Sequence, residues 1–231
     1  MNDISNPDQH LQVEIRAAQG RTEFRRFHHF AHLAGTPNPG LPVREMWMAE
    51  KTKLLSSALP PRLARDSLDR AWEIQDIHGM VMARSLALVA VSHGEIIAGL
   101  AAGPAPRFVR RFARAGTDAV RRAIIATLQI HTLAVEPEYR RNGVGHALLD
   151  RLTSIAVAAN TTLLYVRADS ATAPLEFFRR QGFASHTSHE PLEFTTHGLT
   201  ATEPPLPATL FSRRLPSRQR KRCGDVAGPS Q

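Results

Sequence analysis

The chain contains only one cysteine, Cys223, among 231 residues. One thiol cannot form a disulfide within the chain or a metal site of several thiolates. Long apolar runs are also absent, because the most apolar stretch, residues 85–106, is interrupted by Ser92-His93-Gly94-Glu95, and a membrane-spanning helix needs about 20 predominantly apolar residues. The first ten residues lack the basic and then apolar pattern of a signal peptide. We therefore expect a soluble, cytoplasmic protein without a membrane partner.

The composition is that of a globular protein, with 42% hydrophobic and 22% charged residues. A chain of this length can bury a core without disulfides or metals. We predict a flexible N-terminus over residues 1–10, one domain over residues 11–215 and a disordered basic tail over residues 216–231.

The net charge of +8 is unevenly distributed. From Arg213 to the end, six Lys or Arg residues stand against one acid, which gives +5. Such a tail can bind nucleic acid, although solvation of a disordered segment explains the same composition. Residues 107–122 are also rich in arginine, interleaved with Phe108, Val109 and Phe112. We interpret this segment as an amphipathic connector with a solvated charged face rather than as a nucleic-acid patch.

Apolar periodicity predicts an alternation of strands and helices along the chain. Alternation at Leu11, Val13 and Ile15 indicates a first strand, and a helix follows over residues 22–33. The later predicted elements are two weak helical patterns in residues 43–83, a hairpin over 86–101, a strand over 128–135, a helix from 144, a strand over 162–166, a short helix over 174–180, and strand-like runs at 192–195 and 208–211.

A turn with two glycines joins the clearest strand to the helix that begins at Val144. Residues 136–145 read EPEYRRNGVG. The first N–H groups of a helix have no partner within it, and together with the helix dipole they attract anions. Gly143 and Gly145 let a ligand approach the backbone, and Arg140 and Arg141 can bind phosphate oxygens. The turn therefore predicts a phosphate or pyrophosphate site.

Two motifs of the chain, in residues 133–145 and 177–183, are similar to those of a known family. Arg140-x-x-Gly143-x-Gly145, after Leu133-Ala134-Val135-x-Pro137, resembles the acetyl-CoA signature of the GNAT N-acetyltransferase superfamily. Residues 177–183, FFRRQGF, resemble the family's second hallmark, aromatic-x-x-x-Gly-Phe. The order of elements over residues 11–215 is also the family's. The turn matches neither a Walker loop nor the dinucleotide fingerprint.

The resemblance implies an α/β fold of the GNAT type, in which helices flank a central mixed, mostly antiparallel sheet. In this fold the strand ending at Val135 splays from the strand ending at Val166, and the pantetheine arm of acetyl-CoA lies in the gap. Acetyl-CoA is then a co-substrate, and no metal is expected. The implied binding residues are Leu133, Ala134, Val135, Arg140, Arg141, Asn142, Gly143, Val144, Gly145, His146, Ser170 and Phe178.

The implied reaction is acyl-CoA-dependent N-acyl transfer, in which a primary amine attacks the acetyl group directly. Many members carry a glutamate two residues before the Leu133 position, and this chain has His131 there. A histidine near its ordinary pKa can act as a base at neutral pH, while a water chain, with His131 merely hydrogen-bonded, stays open. The family implies that the N–H of Leu133 stabilises the oxyanion.

The chain departs from the family where many members carry a tyrosine that protonates the departing thiolate. Both aromatic positions are phenylalanines, Phe177 and Phe178. This departure keeps a non-catalytic acyl-CoA-binding module open, and the basic segments keep a nucleic-acid-associated protein open. The expected acceptor is a small-molecule or peptide amine. Nucleic acid has weaker support as a partner, and a homodimer stays open.

Overall fold

Seven strands form one mixed sheet in the computed structural model, which describes residues 11–35, 41–168, 175–186, 192–196, 199–203 and 209–216. The strands are β1 (Glu14–Ala17), β2 (Leu86–Ser92), β3 (Glu95–Gly103), β4 (Thr127–Val135), β5 (Leu163–Ala168), β6 (Ala184–His186), β7 (Leu192–Thr196), β8 (Leu199–Glu203) and β9 (Thr209–Arg214). The helices are α1 (Gly20–Leu33), α2 (Val43–Lys51), α3 (Ala64–Arg84), α4 (Pro106–Val109), α5 (Thr117–Ala126), α6 (Val144–Ala158) and α7 (Leu175–Arg180).

The strand order of the sheet is β1-β2-β3-β4-β5-β9-β6, and β7 pairs with β8 in a separate hairpin. Within the sheet β4 and β5 are parallel, and the other neighbours are antiparallel. The predicted fold class, a mixed and mostly antiparallel sheet flanked by helices, is confirmed. None of the described helices is long and apolar enough to cross a bilayer.

The sequence predictions differ from the structure where elements are short or interrupted. β1 lies slightly later than predicted, because the residues that pair with β2 are Glu14 to Ala17. β6 and β8 were not predicted, since three to five mostly polar residues show little apolar alternation. The backbone of α3 is non-helical at Gln75 and Asp76, and Asp76 has a φ of 57°.

The two faces of the sheet bury different helices. On one face, α6 packs its apolar stripe, which includes Leu148, Leu152 and Ala156, against the strands. The other face is covered by α1 to α5, and α1 contributes Phe24, Phe27 and Phe30 at helical spacing. The connector over residues 107–122 buries Phe108, Val109 and Phe112 on this face. Its predicted amphipathic character is confirmed.

Helix α1 approaches β3 closely at Gly99. A Cβ atom on Gly99 would lie 2.4 Å from Cδ2 and 2.7 Å from Cε2 of the buried Phe30 ring. We expect Gly99→Ala to lower the free energy of unfolding by about 1–3 kcal/mol, because overpacking forces the ring or the strand to move. Urea denaturation measures this change.

The smaller side chain in Phe30→Leu removes the ring that the new methyl group of Gly99→Ala would meet. We expect the cost of Gly99→Ala to fall by about 1 kcal/mol or more in that background, since contacting residues show such coupling. Equal costs in the two backgrounds would contradict the proposed steric origin.

Candidate functional site

The site lies where the parallel strands β4 and β5 separate. The two strands pair from Thr127 with Leu163 to Ile130 with Val166. Beyond this point β4 continues to Val135 beside β3 alone, and β5 continues to Ala168 beside β9. The strands therefore diverge at their carboxyl ends, as the sequence resemblance predicted, and a cleft opens between them.

Backbone groups of β4 line one side of this cleft. The N–H of Glu136 donates to the carbonyl of Ile97 at 2.9 Å, so the Glu136 N–H points toward β3. Because backbone groups alternate direction along a strand, the N–H and C=O groups of Leu133 and Val135 point into the cleft. The Val135 carbonyl accepts a hydrogen bond from Nε of Arg140 at 3.0 Å. The cleft edge of β4 can therefore pair with an extended amide chain.

The turn after β4 directs the N-terminus of α6 into open space. A 3₁₀ turn over Pro137–Tyr139 precedes Arg141 and Gly143, which have left-handed φ angles of 66° and 78°. No side chain caps α6, which begins at Val144, and its first N–H groups have no acceptor within the helix. A Cβ atom on Gly143 would have no neighbour within 4 Å. These features suit an anion such as pyrophosphate.

Side chains connect the start of α6 to α7. Nδ1 of His146 accepts a hydrogen bond from Nε2 of Gln181 at 2.8 Å, and Nε2 of His146 donates to Asp150 at 2.9 Å. A Cβ atom on Gly145 would make ordinary contacts, at 3.6–3.7 Å, with Val135 and Phe177. The Nδ2 of Asn142 donates to the Arg140 carbonyl at 3.4 Å.

The two phenylalanines of α7 lie in different surroundings. Phe177 lies beside Gly145 at the start of α6, while Phe178 is buried against the rings of Phe183 and Phe211. The structure therefore places Phe177 nearer than Phe178 to the turn, and the predicted contact of Phe178 with the cofactor stays a prediction. Ser170 lies outside the described residues.

His131 occupies a bulge in β4. Ala101 pairs with Thr132 and Ala102 with Ile130, so His131 has no partner in the ladder. Its buried imidazole donates from Nε2 to the Gly103 carbonyl at 3.1 Å, and Nδ1 has no partner among the described residues.

This environment changes the protonation of His131. Burial lowers the pKa of the imidazole to about 4; the Gly103 hydrogen bond opposes the shift, and the positive charge of Arg167 adds to it. The near-ordinary pKa expected from the sequence is wrong, because the sequence does not reveal this burial. The imidazole is neutral at pH 7, with its lone pair on Nδ1.

Sequence reasoning missed the groups that connect α1 to the end of β4. Glu136 accepts a hydrogen bond from Arg26, which also donates to the Ile96 carbonyl at 3.3 Å, and from His29 at 3.0 Å. Glu136 lies inside the recognised motif, and the spacing of Arg26 and His29 places them on one helical face, so the signal was present. No group of three potential metal ligands occurs among the described residues.

Comparison with known proteins identifies the region that contains this cleft. Residues 83–185 match the family model of the acetyltransferase (GNAT) domain. The resemblance to this family that we inferred from the two motifs is therefore confirmed for residues 83–185. A domain of this family supports transfer of an acyl group from coenzyme A to an amine in general.

Several solved structures are similar to the chain. An acetyltransferase from Streptococcus agalactiae is 14% identical, with 88% of this chain and 98% of that chain covered and a TM-score of 0.48. The ribosomal-protein-S18-alanine N-acetyltransferase of Escherichia coli is 16% identical over 91% and 98%, with a TM-score of 0.47. The paia N-acetyltransferase of Thermoplasma acidophilum, in complex with coenzyme A, is 14% identical over 88% and 99%, with a TM-score of 0.46. No curated protein matches the chain significantly.

Proposed function

We propose that the protein is an N-acetyltransferase that moves an acetyl group from acetyl-CoA to a primary amine by direct attack. The observation that carries this proposal is the continuity of the site. The cleft beyond Ile130 and Val166 is lined by the free edge of β4 and leads into the turn before α6. The strand edge suits the amides of the pantetheine arm of coenzyme A, and the adjoining anion site suits its pyrophosphate.

The binding roles follow from the chemistry of each group. The backbone of Leu133 and Val135 would pair with the pantetheine amides, with Ala134 between them. The N–H groups between Arg141 and His146, which include those of Asn142, Gly143, Val144 and Gly145, would hold the pyrophosphate. Arg140 already donates from Nε to Val135, so it would reach phosphate oxygens through its terminal nitrogens. Ser170 and Phe178 stay in the proposal as further cofactor contacts.

The reaction needs a path for one proton and a donor for the oxyanion. Acetyl-CoA supplies a thioester, whose carbonyl carbon accepts the amine lone pair while the carbon–sulfur bond breaks and the thiolate leaves. The N–H of Leu133 donates to the developing oxyanion. The amine proton moves to Nδ1 of His131, or along a water chain to solvent. The side chains of Phe177 and Phe178 have no acidic proton, so neither can protonate the thiolate.

A second candidate, a non-catalytic acyl-CoA-binding module, is favoured by two observations. The family's tyrosine is replaced by phenylalanine, and the low pKa of His131 makes it a weak base. This candidate predicts that acetyl-CoA binds without turnover on any amine, and that His131→Ala leaves binding unchanged.

Calorimetric titration with acetyl-CoA tests the proposed cofactor site through Gly143→Asp. We expect the parent to bind and the variant to bind at least about tenfold more weakly, since like charges placed together cost several kcal/mol. The new carboxylate would repel the pyrophosphate and fill the open space above residue 143.

Two control variants separate charge at the site from other effects. Gly143→Ala adds at least as much left-handed strain as Gly143→Asp, without the charge. Gly20→Asp adds the charge at the start of α1, where Gly20 also has a positive φ, 65°, and open space. Binding should survive both changes. A folded parent that does not bind would contradict the proposal, and binding without turnover on a panel of amines would favour the binding module.

A further inference from the structure

A row of arginines lies along one face of the connector between β3 and β4. Helix α4 continues into a 3₁₀ helix over Arg110–Ala115. The arginine face consists of Arg107, Arg110, Arg111 and Arg114, which are interleaved along this segment with the buried Phe108, Val109 and Phe112. All four residues are exposed. The segment therefore presents a ridge of guanidinium groups to solvent.

The opposite side of the segment anchors this ridge. The rings of Phe108 and Phe112 are buried and contact each other in a T-shaped arrangement with centroids 5.3 Å apart. Phe108 also contacts the ring of Tyr165 on β5 at 6.4 Å. Because the buried aromatic rings fix the orientation of the segment, the arginines face solvent even when no ligand is bound.

Three of the four arginines in the ridge have no acidic partner among the described residues. Asp118, the nearest acid along the chain, is bound by Arg121, which also binds Asp69 of α3. Arg107, Arg110 and Arg114 form no ion pair with any described residue. Arg111 has an interaction within the chain, so the groups assigned here to a ligand are the other three arginines.

The charge of the whole chain is concentrated in two segments. Residues 106–122 hold six arginines and one aspartate, which gives +5, and the tail from residue 213 also carries +5. Subtracting both from the total of +8 leaves −2 for all other residues. A positive charge spread over the whole chain therefore does not explain the ridge.

We propose that the arginine face binds the phosphate backbone of nucleic acid, which replaces the merely solvated charged face that we expected from the sequence. The planar guanidinium fork matches phosphate oxygens, and arginine is over-represented at such sites. Arg107, Arg110 and Arg114 recur at intervals of three and four residues, which suits the evenly spaced charges of a nucleic acid strand. Since Phe108 and Phe112 are buried, the described residues of this face offer no aromatic ring on which bases could stack. It therefore contacts backbone rather than bases, and it should not read sequence.

The connector that carries this face begins close to His131. Helix α4 starts three residues after Gly103, whose carbonyl accepts the His131 hydrogen bond. A nucleic acid held here would lie on the side of the sheet covered by α1 to α5. Binding at this face does not depend on acyl transfer, so its test is independent of the proposed enzyme activity.

Fluorescence polarisation with labelled RNA and duplex DNA of about 20 nucleotides tests the proposal in the full-length protein, at salt from about 50 to 200 mM. The variant carries Arg107→Gln, Arg110→Gln and Arg114→Gln. We expect the slope of log affinity against log salt to shrink by about three, or one for each lost phosphate contact. Arg110→Gln alone should reduce it by about one.

A control variant with the same change in net charge distinguishes an effect of the arginine face from a general effect of charge. It carries Arg25→Gln, Arg44→Gln and Arg151→Gln, which are exposed arginines of α1, α2 and α6, and it should keep the parent slope. An equal loss in this control would overturn the proposal in favour of diffuse charge.

The basic tail needs its own variant, in which Arg218, Arg220, Lys221 and Arg222 are replaced by glutamine at unchanged chain length. Binding that disappears with the tail charges and is indifferent to the arginine face would overturn the proposal. Tighter binding of polyglutamate than of RNA and DNA would also overturn it, because the partner would then be an acidic protein. Tighter binding of RNA or of DNA would support the proposal and identify which nucleic acid the face prefers.

Discussion

Replacement of Arg84 by methionine is expected to lower the free energy of unfolding by about 3–5 kcal/mol, because several buried acceptors would lose their donor at once. Arg84 ends α3 and is fully buried. Its Nη1 donates to the carbonyl of Ala58 at 2.7 Å, and its Nη2 donates to the carbonyls of Ile125 at 2.9 Å and Ala159 at 2.5 Å. The guanidinium thus connects the loop before α3 with the ends of α5 and α6.

The surroundings of Arg84 explain why a cation is stable there without a carboxylate partner among the described residues. Ile125 lies in the last turn of α5, and Ala159 caps α6. The last carbonyls of a helix have no donor within it and carry the negative end of the helix dipole. Burial lowers the pKa of Arg84 to about 10, so the side chain is still charged at neutral pH. Methionine would fill part of the volume and satisfy none of the carbonyls.

Urea denaturation of Arg84→Met beside Arg65→Met measures this contribution. Arg65 lies on the same helix and is exposed, so its replacement should change stability by no more than about 0.5 kcal/mol. Arg84→Lys keeps the charge but loses the fork that reaches separate carbonyls, and an intermediate loss is expected. Equal stabilities of the two methionine variants would show that the carbonyls find other donors.

The interaction made by Arg84 could not be predicted from the sequence. Its partners Ala58 and Ala159 lie 26 and 75 residues away along the chain, and no local pattern connects such positions. In contrast, β4 and α6 were predicted closely. Their apolar periodicity is strong, and the glycine-containing turn between them marks where the strand ends and the helix begins. Periodicity reports which side of an element is buried, and it does not report which polar groups meet across the fold.

The candidate site shows the same division between local and long-range information. The N-terminus of α6 and the left-handed turn at Gly143 follow from adjacent residues. The bulge at His131 arises from the register between β3 and β4, and the contact of Glu136 with Arg26 spans 110 residues. The sequence therefore located His131 and could not supply the environment that determines its protonation.

The stability of the protein is expected to fall as the pH decreases from about 6.5 toward 4, because the unfolded chain binds a proton at His131 before the folded chain does. The pKa of the folded state is about 4, against an ordinary value of 6.5. Stability from this group is complete above pH 6.5 and is lost as the pH approaches 4. A shift of this size corresponds to about 3 kcal/mol, at 1.36 kcal/mol per pKa unit.

Urea denaturation between pH 7 and 5 measures this dependence, with His131→Gln as the test variant. Glutamine can still donate to the Gly103 carbonyl but does not titrate. The parent should lose up to about 1.4 kcal/mol per pH unit more than the variant near pH 5. The pKa of Glu23 is lowered from 4.5, mainly by its hydrogen bond with Arg16, so its contribution is lost below this range. The exposed His28→Gln should keep the parent slope.

The same variant, His131→Gln, also tests whether His131 acts as the base in catalysis. If Nδ1 of His131 accepts the amine proton, activity should decline on acidification near pH 4 rather than near 6.5, and His131→Gln should lose most of the turnover, since a positioned base contributes about 10²–10⁴-fold. If a water chain carries the proton, the variant should keep its turnover and lose only the pH dependence of stability. Equal slopes of the free energy of unfolding against pH for the parent and His131→Gln would contradict the burial of this imidazole. A low pKa of His131 would then support neither mechanism.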